Sequence, residues 1–312
     1  MRISVTDRCN LRCRYCMPDG IESLPMTDLL TYEEIAFVCR EAVSLGIDHF
    51  RITGGEPLVR KNCVELIAML KKIPGVSRIG MTTNGVLLQE HLERLLEAGL
   101  DAVNISLDTL NREQYRTITG RDESDRVLAA IRLAAGKLPV RINCVICHGI
   151  NDDAPPELAA LAKEMPVDVR FIELMPIGAA RGLTMVPNAA VLGMIEKEYG
   201  KTEEAPDAEG SGPAVYRRAK GFAGRIGFIS AVHGKFCHQC NRLRLTSVGE
   251  LKPCLCYADS VPLREILRND AAGKEERIRE KIREATALKP RAHCFENGVN
   301  VTEKRRMAQI GG

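Results

Sequence analysis

Residues 2–16 read Arg2-Ile3-Ser4-Val5-Thr6-Asp7-Arg8-Cys9-Asn10-Leu11-Arg12-Cys13-Arg14-Tyr15-Cys16, a short alternating run followed at once by three cysteines. Polar Arg2, Ser4 and Thr6 alternate with apolar Ile3 and Val5, the two-residue period of a strand with unlike faces. The alternation returns at Arg51 and Thr53 against Phe50 and Ile52, and at Asn104 and Ser106 against Val103, Ile105 and Leu107. It returns again at Arg141 and Asn143 against Ile142, Cys144 and Ile146. With 78–82 and 169–174, these runs give six strand candidates, at 2–6, 49–53, 78–82, 102–107, 140–147 and 169–174.

Between them lie helix-like segments near 32–45, 61–72, 89–98, 124–137 and 155–165. Two carry start signals: Thr31 stands before Glu33 and Glu34, and Asn151-Asp152-Asp153 before Pro155-Pro156. Strands and helices in alternation predict βα repetition and a parallel sheet. The inward face of such a barrel normally fills with branched apolar side chains. Here it would carry arginine, asparagine and hydroxyls, which is costly unless a ligand or water occupies the lumen. An open or partial barrel around a polar, anionic ligand meets that cost. A one-sided sheet with a solvated face is the plainer alternative.

The 312 residues are 45% hydrophobic and 27% charged, a globular composition that excludes a disordered or fibrous chain. Lys+Arg 44 against Asp+Glu 41 leaves a net +3, with no excess pointing to nucleic acid. No apolar run is long enough to span a membrane. The start, Met1 to Asp7, lacks the apolar core of a signal peptide, so a cytoplasmic location is expected. In that reducing compartment the twelve cysteines are expected to bind metal or do redox chemistry rather than form disulfides.

From about 184 the pattern changes. A helix-like 188–199 leads into 202–213, whose Glu, Asp, Gly and Pro predict a linker or exposed loop. Short strands near 214–218, 225–230 and 243–247 follow, with helices near 261–269 and 274–286. The chain therefore divides into a βα-repeat unit over 1–183 and a C-terminal α+β extension over 184–312.

Cys9, Cys13 and Cys16 would leave a four-coordinate zinc one ligand short. Three cysteines on a [4Fe–4S] cluster leave one iron free to bind another molecule. A second trio, Cys237, Cys240 and Cys254, lies in the extension. Cys256 stands two beyond Cys254 and His238 lies inside the loop, so spacing leaves zinc and iron–sulfur both open there. Cys144 and Cys147 also spell Cys-x2-Cys, but on a strand they face opposite sides and chelate poorly. Cys39 has helical spacing among apolar neighbours and is expected in the core.

Cys9, Cys13, Tyr15 and Cys16 together form Cys-x3-Cys-x-aromatic-Cys, and in this the chain resembles the radical S-adenosylmethionine (SAM) enzymes. Gly54-Gly55-Glu56-Pro57, after the second strand, extends the resemblance. It implies an α/β fold, a partial (βα)6 TIM-type barrel, in agreement with the six strands. Cys237, Cys240, Arg242, Arg244 and Cys254, with the terminal Gly311-Gly312, are similar to one branch of that family. That branch cyclises GTP in molybdenum cofactor synthesis.

The resemblance implies two [4Fe–4S] clusters, one on Cys9, Cys13 and Cys16, the other on Cys237, Cys240 and Cys254. It implies SAM held by Tyr15, Gly55, Ser106 and Met175 and cleaved to a radical that removes the 3′ hydrogen of GTP. Arg2, Arg51, Thr82, Arg141, Arg170, Arg242 and Arg244 would surround GTP, and Arg242, Arg244, Gly311 and Gly312 would take catalytic parts. A triphosphate in a low-dielectric lumen suits guanidinium forks. Arg170 and Met175, five apart, cannot share one face of a regular strand, so the strand ends between them or one role is misplaced. The partners implied are a second copy in a homodimer, a flavodoxin- or ferredoxin-type electron donor, and a cyclic pyranopterin monophosphate synthase downstream. A peptide-modifying radical SAM enzyme and a non-catalytic zinc-binding interaction protein are the competing readings.

Overall fold

In the computed structural model the described residues are 1–20, 24–206, 212–269, 272–297 and 300–311. Six strands lie parallel in chain order: β1 (Arg2–Ser4), β2 (His49–Thr53), β3 (Arg78–Thr83), β4 (Ala102–Ser106), β5 (Val140–Val145) and β6 (Asp168–Ile172). Helices α1 (Tyr32–Ser44), α2 (Cys63–Lys71), α3 (Leu88–Glu97), α4 (Arg112–Thr119) with α5 (Ser124–Ala135), and α6 (Pro155–Glu164) make the crossovers. The apolar face of the strands, including Ile3, Ile52, Ile79, Ile105, Ile142 and Phe171, packs into the main core. Thr31 caps α1 as expected. Its hydroxyl accepts from the Glu34 N–H at 3.1 Å while the Glu34 carboxylate accepts from the Thr31 N–H at 2.7 Å.

The extension does not stand apart from this sheet. After α7 (Asn188–Tyr199), strand β9 (Arg225–Ile229) pairs parallel with β6, and β10 (Arg244–Leu245) pairs parallel with β1. Antiparallel strands finish the two sides: β8 (Val215–Ala219) and β7 (Thr202–Ala205) beyond β9, β11 (Glu250–Lys252) and β12 (Val261–Pro262) beyond β10. Among the described residues the sheet runs β12-β11-β10-β1-β2-β3-β4-β5-β6-β9-β8-β7, with β12 and β7 as its unjoined edges. It is an open, partial barrel. No helix among the described residues is long and apolar enough to cross a membrane.

The segment 202–213, expected to be a loop, begins with strand β7. Glu203 lies opposite Arg218 and Glu204 opposite Arg217, so cross-strand charge pairs replace the missing apolar period. Residues 207–211 lie outside the described residues. Helix α4 was not legible as a periodic segment, because among its eight residues only Tyr115, Ile118 and Thr119 are buried. The helix expected near 261–269 begins as β12, and its helical part is α8 (Arg264–Arg268). It is followed by α9 (Lys274–Ala287).

Past α9 the chain returns to the sheet. Lys252 and Glu303, both essentially inaccessible to water, form an ion pair at 2.5 Å that anchors this return on β11. Arg305 adds bonds to Glu303 at 3.1 Å and to Glu250 at 2.5 Å.

Candidate active site

Alternation in the strands puts the polar side chains on the concave face. Arg244, Arg2, Arg51 and Gly80 form one row across β10, β1, β2 and β3; Asn104, Arg141 and Asp168 form another across β4 to β6. Arg2, Arg51, Asn104, Arg141, Asn143, Arg170 and Arg242 line a cavity of about 620 Å³, the size of a small-molecule site. Gly80 makes room: a Cβ there would lie 2.9 Å from the Arg51 guanidinium.

Burial draws Arg2, Arg51, Arg170, Arg242 and Arg244 below the ordinary guanidinium range, Arg51 and Arg244 to about 9. For Arg2, Arg51 and Arg244 the neighbouring arginines add to this. Asn143 accepts from Arg170 at 3.0 and 2.6 Å, and Arg141 faces Asp168 at 3.9 Å. The Thr82 hydroxyl and the Asn104 carbonyl, neighbours in register, are buried and have no hydrogen-bond partner among the described residues. So many buried cations beside orphan polar atoms fit a large polar anion.

The three N-terminal cysteines sit at the ends of β1 and β2. A tight turn closes them, with the Cys16 and Met17 N–H groups both donating to the Cys13 carbonyl at 2.9 Å. Gly54-Gly55-Glu56 is locked to the same loop: Gly55 N–H bonds Thr6 O at 2.7 Å and Glu56 N–H bonds Arg8 O at 2.8 Å. A Cβ on Gly55 would fall 2.4 Å from Arg8 O, so only glycine fits. Glu56 is buried and serves the loop itself, accepting from Leu58 N–H, the Thr83 hydroxyl and Asn84 N–H. Tyr15 donates to Asp108 at 2.6 Å, and Asp108 also accepts from Val145 N–H at 2.8 Å. Ser106 ends β4, half-buried.

Burial pushes all three thiols up, Cys16 to about 11, with Asp108 adding to Cys13 and Cys9 to Cys16. N–H groups aim at the sulfurs: Leu11 at Cys9, 3.4 Å away, and Ala308 at Cys16. Buried thiols with N–H donors ionise when a metal centre supplies the positive charge.

The second trio lines a cavity with Arg242, Arg244, Lys289, His293 and Met175. Arg242 also borders the large cavity, so the two spaces adjoin. Burial would raise Cys240, but the Arg242 N–H and the cations of Lys289, Arg242 and Arg244 outweigh it, leaving that thiol below its ordinary range. Cys237 accepts from His293 N–H at 3.3 Å and Cys254 from Cys256 N–H at 3.4 Å. Cys256 turns instead into an apolar cluster, 3.2 Å from Cys294, and His238 is exposed outside the cavity. Among the described residues no three His, Cys, Asp or Glu side chains converge closely enough for one metal ion. A cluster of several irons asks each thiolate only to reach its own iron. The residues fit that group better than a single zinc.

The C-terminal segment connects the two sites. Ala308 meets Cys16, and Arg244 donates to Gly311 O at 2.9 Å. Gly311 takes φ +73° and is buried against Ser4 and Thr53; Gly312 lies outside the described residues. Strand β6 ends at Ile172, so Arg170 faces the large cavity while Met175, beyond the strand, borders the second trio. Cys144 is in the core and Cys147 in a separate apolar cluster, not in a metal site; Cys39 is fully buried in α1.

The radical SAM superfamily pattern matches residues 3–162, and the Molybdenum Cofactor Synthesis C pattern matches 167–295. The chain is 47% identical to the GTP 3′,8-cyclase of Moorella thermoacetica over all of its length and 97% of that protein. This chain belongs to the GTP 3′,8-cyclase family of radical SAM enzymes. It is 45% identical to the GTP 3′,8-cyclase of Pelotomaculum thermopropionicum, with the same coverage. Among solved structures, SuiB of Streptococcus suis bound to S-adenosylmethionine resembles the fold with a TM-score of 0.63 at 16% identity, over 99% of this chain and 76% of that one. Sequence reasoning did not single out Asn104 and Asn143 in the large cavity, Asp108 beside Tyr15 or Lys289 beside the second trio as site residues. Asn104 and Asn143 were legible on the polar strand face; Asp108 and Lys289 gave no periodic or motif signal.

Proposed function

We propose that this chain converts GTP, with SAM, into (8S)-3′,8-cyclo-7,8-dihydroguanosine 5′-triphosphate, methionine and 5′-deoxyadenosine in molybdenum cofactor synthesis. It is a lyase on this reading. The carrying observation is one arginine-lined cavity adjoining a cysteine trio, whose Arg244 bonds a C-terminal tail that reaches the other trio.

Cys9, Cys13 and Cys16 hold one [4Fe–4S] cluster, and Cys237, Cys240 and Cys254 hold the other. A cluster held by the first trio would supply the electron for SAM cleavage. Tyr15, Gly55, Ser106 and Met175 hold SAM, with Tyr15 fixed by Asp108. Arg2, Arg51, Thr82, Arg141 and Arg170 take GTP, the guanidinium forks facing its phosphate charge. Arg242 borders both that cavity and the second trio, Arg244 borders the second trio and holds Gly311, and these two arginines with Gly311 and Gly312 take catalytic parts. Five crowded arginines favour a triphosphate over a peptide, which distinguishes this reading from peptide modification. The same reading brings a homodimer, a flavodoxin- or ferredoxin-type donor, a downstream cyclic pyranopterin monophosphate synthase and a cytoplasmic setting.

The test is anaerobic protein, reconstituted with iron and sulfide, reduced, and incubated with SAM and GTP. The expected products are 5′-deoxyadenosine and the cyclised nucleotide. SAM cleavage without any cyclised nucleotide would overturn the substrate, and no SAM cleavage the whole assignment.

A further inference from the structure

The second cysteine site is built on a hairpin that runs out of ladder. Strands β10 and β11 end their register at Arg244 opposite Lys252. Beyond that pair the two arms carry Arg242 and Cys240 on one side, Pro253 and Cys254 on the other. Leu243 turns its carbonyl to β1, accepting from Arg2 N–H at 2.8 Å, so the pair after Arg244 and Lys252 adds no bond between the arms.

Lys289 stands at this gap. Helix α9 ends at Ala287, and Pro290 stops its continuation, so the helix delivers Lys289 to the cavity beside the trio. Its ammonium has three N–H donors and meets three acceptors: Arg242 O at 2.7 Å, Pro253 O at 3.2 Å and Cys240 Sγ at 3.7 Å. One acceptor lies on the second arm and two lie on the first. The cation therefore ties the two arms together beyond the last ladder pair and adds an N–H···S contact to a ligand sulfur.

We propose that Lys289 is a positioning residue of the second cluster, fixing the separation of the Cys240 and Cys254 arms and placing positive charge beside the Cys240 sulfur. This rests on the reading that the second trio holds a [4Fe–4S] cluster. A fixed cation and an N–H···S bond both favour the more negative, reduced cluster, so their loss moves the potential down.

The experiment uses the full chain with Cys9, Cys13 and Cys16 changed to alanine, so that all cluster iron reports on the second site. Lys289→Met and Lys289→Arg are made in it, and in the otherwise unaltered chain. Iron release to a chelator and the midpoint potential by EPR-monitored titration are read. Lys289→Met should release iron about tenfold faster, the scale of one charge-assisted bond, with a more negative potential; Lys289→Arg should recover most of both. In the unaltered chain the first cluster's iron should leave at its usual rate, which also reports folding. Where Lys289→Met does not fold, Lys289→Gln replaces it. Unchanged release and potential would overturn the role of Lys289, as would faster release with neither a potential shift nor arginine rescue. Absence of iron in the parent with intact Lys289 would overturn the cluster reading as well, and so is told apart.

Discussion

Arg244 is 4% exposed, donates to the Gly311 carbonyl at 2.9 Å, and is drawn to about 9 by burial and by Arg242. A cation in such a place is costly until an anion arrives. Removing it by Arg244→Ala should weaken GTP binding about tenfold to a hundredfold, the scale of ~1.5–3 kcal/mol for a bond to a charged group. Calorimetric titration with GTP measures this, and iron bound at the first trio should stay at the unaltered level. Equal affinity would remove Arg244 from the binding site. At this scale the sequence was informative about type and parity: arginines and asparagines at alternate strand positions face the cavity. It was silent on Asp108 and Lys289, whose partners lie far away in the chain at Tyr15 and Val145, and at Cys240, Arg242 and Pro253.

The cysteine loop, the Gly54-Gly55-Glu56 turn and β1 form a unit tied by backbone bonds between residues 6–8 and 55–56. Gly55→Ala would force a methyl to within 2.4 Å of Arg8 O. The loop must shift, and overpacking of this kind costs about 1–3 kcal/mol. SAM affinity should fall at least about tenfold while GTP affinity changes little, as equilibrium dialysis with each ligand would show; parallel losses would mean general unfolding instead. Strand β2 and helix α7 were legible to the residue. Helix α4 and strand β7 were not, because α4 is only eight residues with three of them buried, and β7 is held by cross-strand charges that leave no apolar period.

The molecule as a whole links its two cysteine sites through its own C-terminal segment, which meets Cys16 at Ala308 and Arg244 at Gly311. The buried Lys252–Glu303 pair holds that segment on β11. Burial alone would raise Glu303, but bonds from Arg305 and Lys252 hold it at about 2. That contribution is present above the ordinary carboxylate range, near 4.5, and is lost as pH falls through about 2. Lys252→Met removes one of the two cations bonded to the buried Glu303 carboxylate, leaving Arg305, and should cost about 1–3 kcal/mol by urea unfolding. Adding Glu303→Leu should recover much of it, since two apolar groups need no partner. No recovery would mean that the pair is not the anchor.

The sequence by itself determined the βα alternation, the two unlike strand faces and the two cysteine trios, because each is written in local spacing. Only the tertiary structure decided that β9 and β10 join opposite sides of the barrel sheet, that Cys254 rather than Cys256 faces the cavity, and that Gly311 reaches Arg244. Those outcomes depend on long-range pairing and burial. No local pattern encodes them.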